Sequence, residues 1–302
     1  GSGDELTVGT SGTAFAIADN DAWTGITTVE KIVAVANTAA VTIDLDLTAY
    51  AAGIRTIDIS AGTASTGNII KVDEFTTAGS ATGTLTLIGS ATGITTITGG
   101  DGADTITGGS GVDVIDGGAG EDVFIYVTTA NLVAANALVD SLTGGSGSAD
   151  AIAINNNGGA TFTLASTDLI EARMVGIEKI VAAGASNQII SITASELLFE
   201  DGVTTIDLSA DTDATANNVI DVSNDNTGNN AWTLTGSTGI DTITGDSGVD
   251  TITGGAGVDV IDGGAGDDVF IYVATGDLVT GNALIDSLTG GSGTADAIAI
   301  NN

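Results

Sequence analysis

Seven aspartates recur at one fixed position in two glycine-rich runs of the chain, and their spacing indicates metal chemistry. The runs, residues 99–125 and 236–271, consist of nine-residue units of the form G-G-x-G-x-D-x-U-x, where U is large and apolar. The aspartates at the sixth position are Asp104, Asp113, Asp122, Asp241, Asp250, Asp259 and Asp268. Calcium is a hard cation that takes about six to eight oxygen ligands, so carboxylates at such regular spacing predict calcium binding.

The glycines of each unit predict a turn over its first six residues, because glycine tolerates positive φ and close backbone approach. Such a turn exposes carbonyl oxygens beside its one carboxylate. A single turn has too few oxygens for calcium, but two stacked turns have enough. The nonapeptide pattern is that of a calcium-binding parallel β-roll. A plain glycine-rich linker would not keep Asp and an apolar residue at fixed positions.

The last three residues of each unit predict a short strand whose middle side chain points inward. The inward residues recur every nine positions, as a stacked ladder requires: Ile97, Ile106, Ile115, Phe124, Ile243, Ile252, Ile261 and Phe270. One coil of a β-roll takes two units, so turns two units apart should stack. This scheme pairs Asp104 with Asp122, Asp241 with Asp259, and Asp250 with Asp268.

The unit before Gly99 departs from the pattern. Its sequence, GSATGITTIT, places Thr95 where the second run has Asp241, and it carries one extra residue. A hydroxyl in place of a carboxylate predicts a poor calcium site at this turn. We therefore expect fewer strong sites in the first run than in the second.

The chain contains an internal duplication. The segment that begins at Val123 returns at Val269, and VEKIVA at Val29 returns as IEKIVA at Ile177. These matches predict a first β repeat at residues 1–144, a second at 145–290, and the start of a third at 291–302. Because the last unit is incomplete, we expect a segment of a longer array.

A turn related to the nonapeptide follows each run. The sequence D-S-L-T-G-G-S-G-x-A-D-A-I occurs at residues 140–152 and 286–298, with one residue inserted in the turn. It makes Asp150 and Asp296 candidates for further calcium ligands. The alternative is a solvated acidic turn before the next strand.

The upstream half of each repeat has ordinary β sequence. Residues 41–47 alternate strictly between apolar and polar, which is typical of a half-buried strand, and Ile57 and Ile59 continue the pattern. Short helical turns are predicted only near Tyr50 and near Leu197. No aspartate recurs here at nine-residue spacing, so we expect this half to stack without calcium.

Composition excludes several classes of function. With 39 acidic and 5 basic residues, the net charge is -34, and a phosphate-binding protein needs clustered Lys and Arg instead. The chain has no Cys and no His, which excludes disulfides, most zinc sites and imidazole catalysis. No apolar run approaches membrane-spanning length, and no secretory leader is evident at the N-terminus. We therefore expect no enzyme, no nucleic-acid partner and no membrane insertion.

The nonapeptide runs resemble those of the RTX group of secreted proteins. The resemblance implies an all-β fold, a parallel β-roll or β-solenoid with calcium-binding glycine-rich turns, and assigns the seven sixth-position aspartates as ligands. It also implies carbonyl ligands at glycine positions of the turns, which are Gly99, Gly108, Gly117, Gly245, Gly254 and Gly263. The cofactor is then calcium, and export would follow the type I route. The export signal of the group lies at the C-terminus, and this chain shows none.

The full repeat resembles bacterial surface-layer proteins and long RTX adhesins, and two functions follow. The first is a calcium-dependent structural protein of the cell surface that self-assembles into a layer or filament, with a cell-surface polysaccharide as a further partner. The second is the calcium-rigidified stalk of a secreted adhesin. Sheets or filaments in electron microscopy favour the first function, and isolated rods favour the second.

Overall fold

The chain forms a parallel β-solenoid in which successive strands alternate between sheets. A computed structural model describes residues 4–9, 12–18, 26, 28–72, 83–134, 137–156, 160–165, 173–184, 188–194, 202–224, 230–273, 275–280 and 283–301. A 13-stranded sheet takes alternate strands, and a seven-stranded and a six-stranded sheet take the others. Nearly all pairings are parallel, which confirms the predicted fold class.

The strands are short, and each sheet has them in a fixed order. The 13-stranded sheet consists of β1 (Glu5–Val8), β3 (Lys31–Ala34), β5 (Thr56–Asp58), β7 (Thr86–Ile88), β9 (Thr105–Thr107), β11 (Val123–Tyr126), β15 (Ala151–Ile154), β18 (Lys179–Ala182), β20 (Thr205–Asp207), β22 (Thr233–Thr235), β24 (Thr251–Thr253), β26 (Val269–Tyr272) and β30 (Ala297–Ile300). The seven-stranded sheet consists of β17 (Met174–Val175), β14 (Ser141–Ser146), β10 (Val114–Ala119), β8 (Thr95–Asp101), β6 (Asn68–Lys71), β4 (Val41–Asp44) and β2 (Phe15–Ile17). The six-stranded sheet consists of β16 (Phe162–Leu164), β19 (Ile190–Thr193), β21 (Asn217–Asp221), β23 (Ile240–Thr244), β25 (Val260–Asp262) and β29 (Ser287–Thr289).

In the described residues, three short helices and two antiparallel hairpins interrupt the coils. The helices are α1 (Leu47–Ala52), α2 (Thr129–Leu132) and α3 (Thr275–Leu278). The hairpins follow α2 and α3 and pair β12 (Val133–Ala134) with β13 (Ala137–Leu138), and β27 (Val279–Thr280) with β28 (Ala283–Leu284). In the part of the chain that the structure describes, no helix is long and apolar enough to span a membrane.

The register of the nonapeptide strands confirms that units two apart are neighbours. Ile106 of β9 lies opposite Phe124 of β11, and Ile243 of β23 lies opposite Ile261 of β25. The eight predicted inward residues are at most 3% exposed. The ladder is therefore a continuous apolar core, which supplies the main favourable term in folding.

The upstream halves use the same ladder without the nonapeptide. Ile57, Ile59 and Leu87 are buried, as the alternating pattern predicted. The predicted helical turn near Tyr50 is α1, which Asp46 caps by accepting from the backbone N–H groups of its first turn. The helical turn predicted near Leu197 lies outside the described residues. Strands of both predicted repeats share the 13-stranded sheet, and the repeat boundaries themselves stay a prediction.

Candidate metal sites

The predicted ligands lie in two columns of turns, one column at each end of the strands. The first turn stack leads into the 13-stranded sheet, and the second turn stack leads into the other two sheets. The first turn stack contains Asp104, Asp122, Asp150, Asp250, Asp268 and Asp296. The second turn stack contains Asp113, Asp241 and Asp259. Each aspartate directly precedes a strand or lies at its start, so the spacing of the coils fixes the spacing of the carboxylates.

In each pair, one carboxylate oxygen binds to the coil before it. The Oδ1 atom of Asp122 accepts from the backbone N–H of Asp104 at 2.8 Å. The Oδ1 atom of Asp259 accepts from Asp241 at 2.9 Å, and that of Asp268 accepts from Asp250 at 2.9 Å. These are the three pairs that the sequence predicted. We call this series of bonds the carboxylate ladder, and each bond to an ionised acceptor is stronger than a neutral one.

The second carboxylate oxygen of most of these aspartates makes no hydrogen bond. The Oδ2 atom is buried and has no hydrogen-bond partner at Asp104, Asp113, Asp122, Asp150, Asp259 and Asp268. Buried polar atoms are normally satisfied, and a buried anionic oxygen without a partner is costly. A cation beside these oxygens would remove that cost. At Asp250 the Oδ2 atom accepts from the backbone N–H of Asp246 at 2.9 Å.

The first glycine of each turn forms a cradle for the leftover oxygen. A Cβ atom on Gly99 would lie 2.7 Å from Asp104 Oδ2 and 2.1 Å from the carbonyl oxygen of Gly117 in the next coil. Gly245 has the same arrangement, with its Cβ position 2.4 Å from Asp250 Oδ2 and 2.2 Å from Gly263 O, although this Oδ2 atom also accepts from Asp246. Carboxylate and carbonyl oxygens from two coils therefore face one small space, which is the donor set that calcium prefers.

The remaining predicted glycines face carboxylates in the same way. A Cβ on Gly108, Gly117, Gly254 or Gly263 would lie within 2.6 Å of the Oδ2 atom of Asp113, Asp122, Asp259 or Asp268, respectively. Among the described residues, no group of three or more acidic side chains is placed to hold a metal ion. Each candidate site must therefore take most of its ligands from backbone carbonyls. The residues present fit calcium, and ligation by each of them stays a prediction.

Burial perturbs these carboxyls strongly. Desolvation raises the pKa of Asp104, Asp250 and Asp259 to about 7, and neighbouring aspartates add to the effect. Desolvation also raises the pKa of Asp113 and Asp122 to about 6. Burial penalises the charged form of an acid that no cation neutralises. Burial therefore favours the protonated form of these carboxyls, and a bound cation would favour the charged form.

The structure places Thr95 where the sequence predicted it. The backbone N–H of Ser90 donates to Thr95 Oγ1 at 3.0 Å, as Ser237 donates to Asp241 Oδ2 at 2.6 Å in the second repeat. A Cβ on Gly89 would lie 3.1 Å from this hydroxyl and 2.4 Å from Gly108 O. The cradle is preserved, but its anionic oxygen is replaced by a neutral one. A weaker site here stays a prediction.

Asp150 and Asp296 extend the ladder beyond the nonapeptides. Asp150 Oδ1 accepts from Asp122 N at 2.6 Å, and Asp296 Oδ1 accepts from Asp268 N at 3.0 Å. The side chain of Asp150 is fully buried, which argues against a solvated turn at that position. Asp296 lies in the last described turn, and its role as a ligand stays a prediction.

Sequence analysis missed one aspartate in each repeat that follows the nonapeptides in the second turn stack. Asp140 accepts from Asp113 N at 2.8 Å, and Asp286 accepts from Asp259 N at 2.9 Å. Their Oδ2 atoms accept from the hydroxyls of Tyr126 and Tyr272, respectively. A tyrosine therefore satisfies the oxygen that elsewhere faces an open cradle. The signal was present, since each aspartate directly precedes an S-L-T strand.

Sequence analysis also missed the amides that replace aspartate upstream. Asn68 lies one coil before Thr95, and its Oδ1 atom accepts from Val41 N at 3.2 Å. Its Nδ2 atom donates to the carbonyl oxygens of Ala64 and Ile94, both at 3.2 Å. The amide keeps the bond of the ladder and satisfies the facing carbonyls without a cation.

Comparison with protein families identifies the glycine-rich runs. The model of the RTX calcium-binding nonapeptide repeat (4 copies) matches residues 91–124 and 235–270. No curated protein and no solved structure was found to match the chain. The chain therefore carries RTX-type calcium-binding repeats within a β-solenoid, and such repeats are typical of secreted proteins.

Proposed function

We propose that this chain is a calcium-dependent structural protein of the cell surface that self-assembles into a layer or filament. One observation carries the proposal, the buried carboxylate oxygens that have no hydrogen-bond partner and face carbonyls of a neighbouring coil. At Asp104 and Asp122 the Oδ2 atom shares one small space with a carbonyl of the next coil, so a cation there would hold two coils together.

Exposed apolar side chains provide a surface for contact between copies. Val112 and Val114 are 49% and 50% exposed, and Val258 and Val260, at the corresponding places of the second repeat, are 55% and 50% exposed. Val114 and Val260 lie on the outward faces of β10 and β25. Covering exposed apolar surface is favourable.

A second copy of the chain is the occupant to which we commit. Because the exposed valine pairs recur in both repeats, two copies that lie side by side can meet at more than one of them. The same surface then serves both partners, as in other symmetric assemblies.

Assembly of this kind would depend on the presence of calcium. The net charge of -34 opposes close approach of two copies, and bound calcium neutralises part of it. Calcium is abundant outside cells, where we place this protein after secretion by the type I route. A cell-surface polysaccharide is the anchoring partner that we propose.

The second candidate is the stalk of a secreted adhesin. The continuous 13-stranded sheet favours it, because an uninterrupted stack of coils forms a rod that can present a distant domain. A stalk shares the calcium chemistry but needs no association between copies.

Electron microscopy and sedimentation velocity, with calcium and with chelator, test the proposal. We expect calcium-dependent filaments or sheets, and Val260→Lys should weaken them because it places a charge among the exposed valines. Thr107→Lys is the matched control. Thr107 lies on the outward face of β9 in the 13-stranded sheet, so a charge there should leave the proposed contact intact. Isolated rods at every protein concentration would favour the stalk.

A further inference from the structure

The turn at residues 144–150 ends the nonapeptide region of the first repeat and lies between coils of both predicted repeats. It is outside the residues that the RTX family model matches. On one side it continues the ladder from Asp122. On the other side β14 pairs with β17, with Leu142 opposite Met174 and Thr143 opposite Val175. The next residues along these two strands are Gly144 and Gly176.

These two glycines create a cradle like those of the nonapeptides. A Cβ atom on Gly144 would lie 1.8 Å from Gly176 O and 2.7 Å from Asp150 Oδ2. The corresponding distances at Gly99 are 2.1 Å to a carbonyl and 2.7 Å to a carboxylate. The turn therefore has the same donor geometry as a nonapeptide turn, although its sequence is one residue longer.

Asp150 supplies a buried carboxylate oxygen at this turn. Its side chain is 0% exposed, and its Oδ2 atom is buried without a hydrogen-bond partner. A Cβ on Gly147 would lie 2.7 Å from the same Oδ2 atom and 2.2 Å from Gly120 O, so carbonyls approach it from both neighbouring coils. A buried anionic oxygen among carbonyl oxygens is repulsive unless a cation lies between them.

The second repeat holds the other side of the cradle in position. Gly176 has φ +64°, a left-handed conformation that glycine adopts without strain. Two residues later, Glu178 Oε2 accepts from the backbone N–H of Asp150 at 2.9 Å. Glu178 thus takes the role that aspartate has elsewhere in the ladder and fixes the register between the coil of Asp150 and the coil that follows it.

We propose that Asp150 and the Gly176 carbonyl form a calcium site that joins the nonapeptide coils of the first repeat to the coils that follow them. The inference rests on the calcium dependence proposed above and adds an ion outside the nonapeptides. Because the carbonyls of Gly120 and Gly176 approach this turn from the coils on either side, the ion would couple the β-roll of the first repeat to the upstream half of the second. Calcium would then stabilise coils that have no aspartate of their own.

Asp150→Asn tests the site in the full chain. The amide keeps the Oδ1 acceptor for Asp122 N but replaces the anionic Oδ2 with an N–H donor. We expect the variant to bind one calcium ion fewer per chain, by calorimetry and by metal analysis of dialysed protein. Its melting temperature should fall in calcium and should not fall in metal-free buffer. Asp296→Asn is the matched control, because Asp296 makes the same ladder bond but is exposed. It should change neither quantity.

The possible failures are distinguishable. If wild type binds calcium and Asp150→Asn binds as many ions with an unchanged melting temperature, the junction site is overturned and the calcium dependence stands. If Asp296→Asn loses an ion and Asp150→Asn does not, the inference about burial at the junction is overturned as well. If wild type binds no calcium, both proposals are wrong.

Discussion

The nonapeptide coils and the upstream coils share one backbone but satisfy their turns differently. In both, a side-chain oxygen accepts an N–H from the coil before, as at Asp259 and at Asn68. The second atom of the side chain decides the rest. At Asn68 it is an N–H₂ group that donates to two carbonyls, and at Asp259 it is an unsatisfied buried oxygen. A one-atom difference thus separates a side chain whose polar atoms are all hydrogen-bonded from one that keeps a buried oxygen for a cation to bind.

Removal of calcium should produce the largest difference in stability between the nonapeptide coils and the upstream coils. The candidate sites barely exist in the unfolded chain, so the free energy of calcium binding becomes free energy of folding. In excess chelator we expect β9, β11, β24 and β26 to lose amide protection first in hydrogen exchange, while β4 and β6 keep theirs longer. Circular dichroism should show a loss of β signal. A spectrum and a protection pattern unchanged by chelator would contradict the prediction.

Truncation of the apolar ladder should cost about the same in both kinds of coil, because the ladder is what they share. Phe124→Ala and Phe162→Ala each remove a buried phenylalanine and should cost about 3–5 kcal/mol of unfolding free energy. Thr107→Ala, on the outward face of β9, should stay within about 0.5 kcal/mol. Chemical denaturation in saturating calcium measures all three. Equal costs for Phe124→Ala and Thr107→Ala would argue against a stacked ladder.

Exchanging asparagine and aspartate between the two kinds of coil tests directly whether the second side-chain atom determines the response to calcium. Asn68→Asp places an oxygen against the carbonyls of Ala64 and Ile94 and should cost about 1–3 kcal/mol in metal-free buffer. Calcium should recover part of this loss. The reciprocal Asp104→Asn removes a buried charge, so it should be tolerated without metal and should be harmful in calcium. Thermal melting of both variants in both buffers gives the answer, and an effect of Asn68→Asp that is independent of calcium would refute the explanation.

Within the second turn stack, Thr95 should cause a smaller difference, in calcium affinity between the two repeats. Asp113→Ala and Asp259→Ala each lose a ladder hydrogen bond to a charged group, worth about 1.5–3 kcal/mol. Only Asp259 stacks on a second carboxylate, that of Asp241, so Asp259→Ala should lose more calcium affinity. Calorimetric titration of the two variants measures the difference. We expect Asp241→Thr to make the second repeat resemble the first, and equal affinities would show that Thr95 has no influence.

The pH dependence of stability gives a further test of the buried carboxyls. Burial raises the pKa of Asp104 and Asp259 from 3.8 to about 7, so the metal-free fold binds protons more tightly than the unfolded chain does. The stability gained by protonation is complete below the unfolded pKa and is lost as pH rises through the folded pKa. Metal-free protein should therefore melt at a higher temperature near pH 5 than near pH 8. With calcium present the trend should reverse, because protons then compete with the ion.

Sequence was sufficient for features that depend on local spacing. The inward ladder from Ile97 to Phe270, the stacking of units two apart and the substitution at Thr95 all follow from a nine-residue period. Hydrogen bonds between neighbouring coils could not be predicted where they depend on the length of the coil between the two residues. Asn68 and Val41 are 27 residues apart in sequence and meet only because the coils between them have a particular length. The bonds of Tyr126 to Asp140 and of Glu178 to Asp150 were missed for the same reason.

The direction of the ladder determines how the rod responds to force. Every ladder bond, like the hydrogen bonds between strands, runs from one coil to the next along the solenoid axis. Tension applied to the two ends therefore acts on one coil interface at a time, and the coils should detach in sequence instead of yielding together. Ions that bridge neighbouring coils would raise the force at those interfaces alone. The chain would then be a filament of alternating stiffness, with compliant amide segments between segments whose strength depends on the calcium concentration around it.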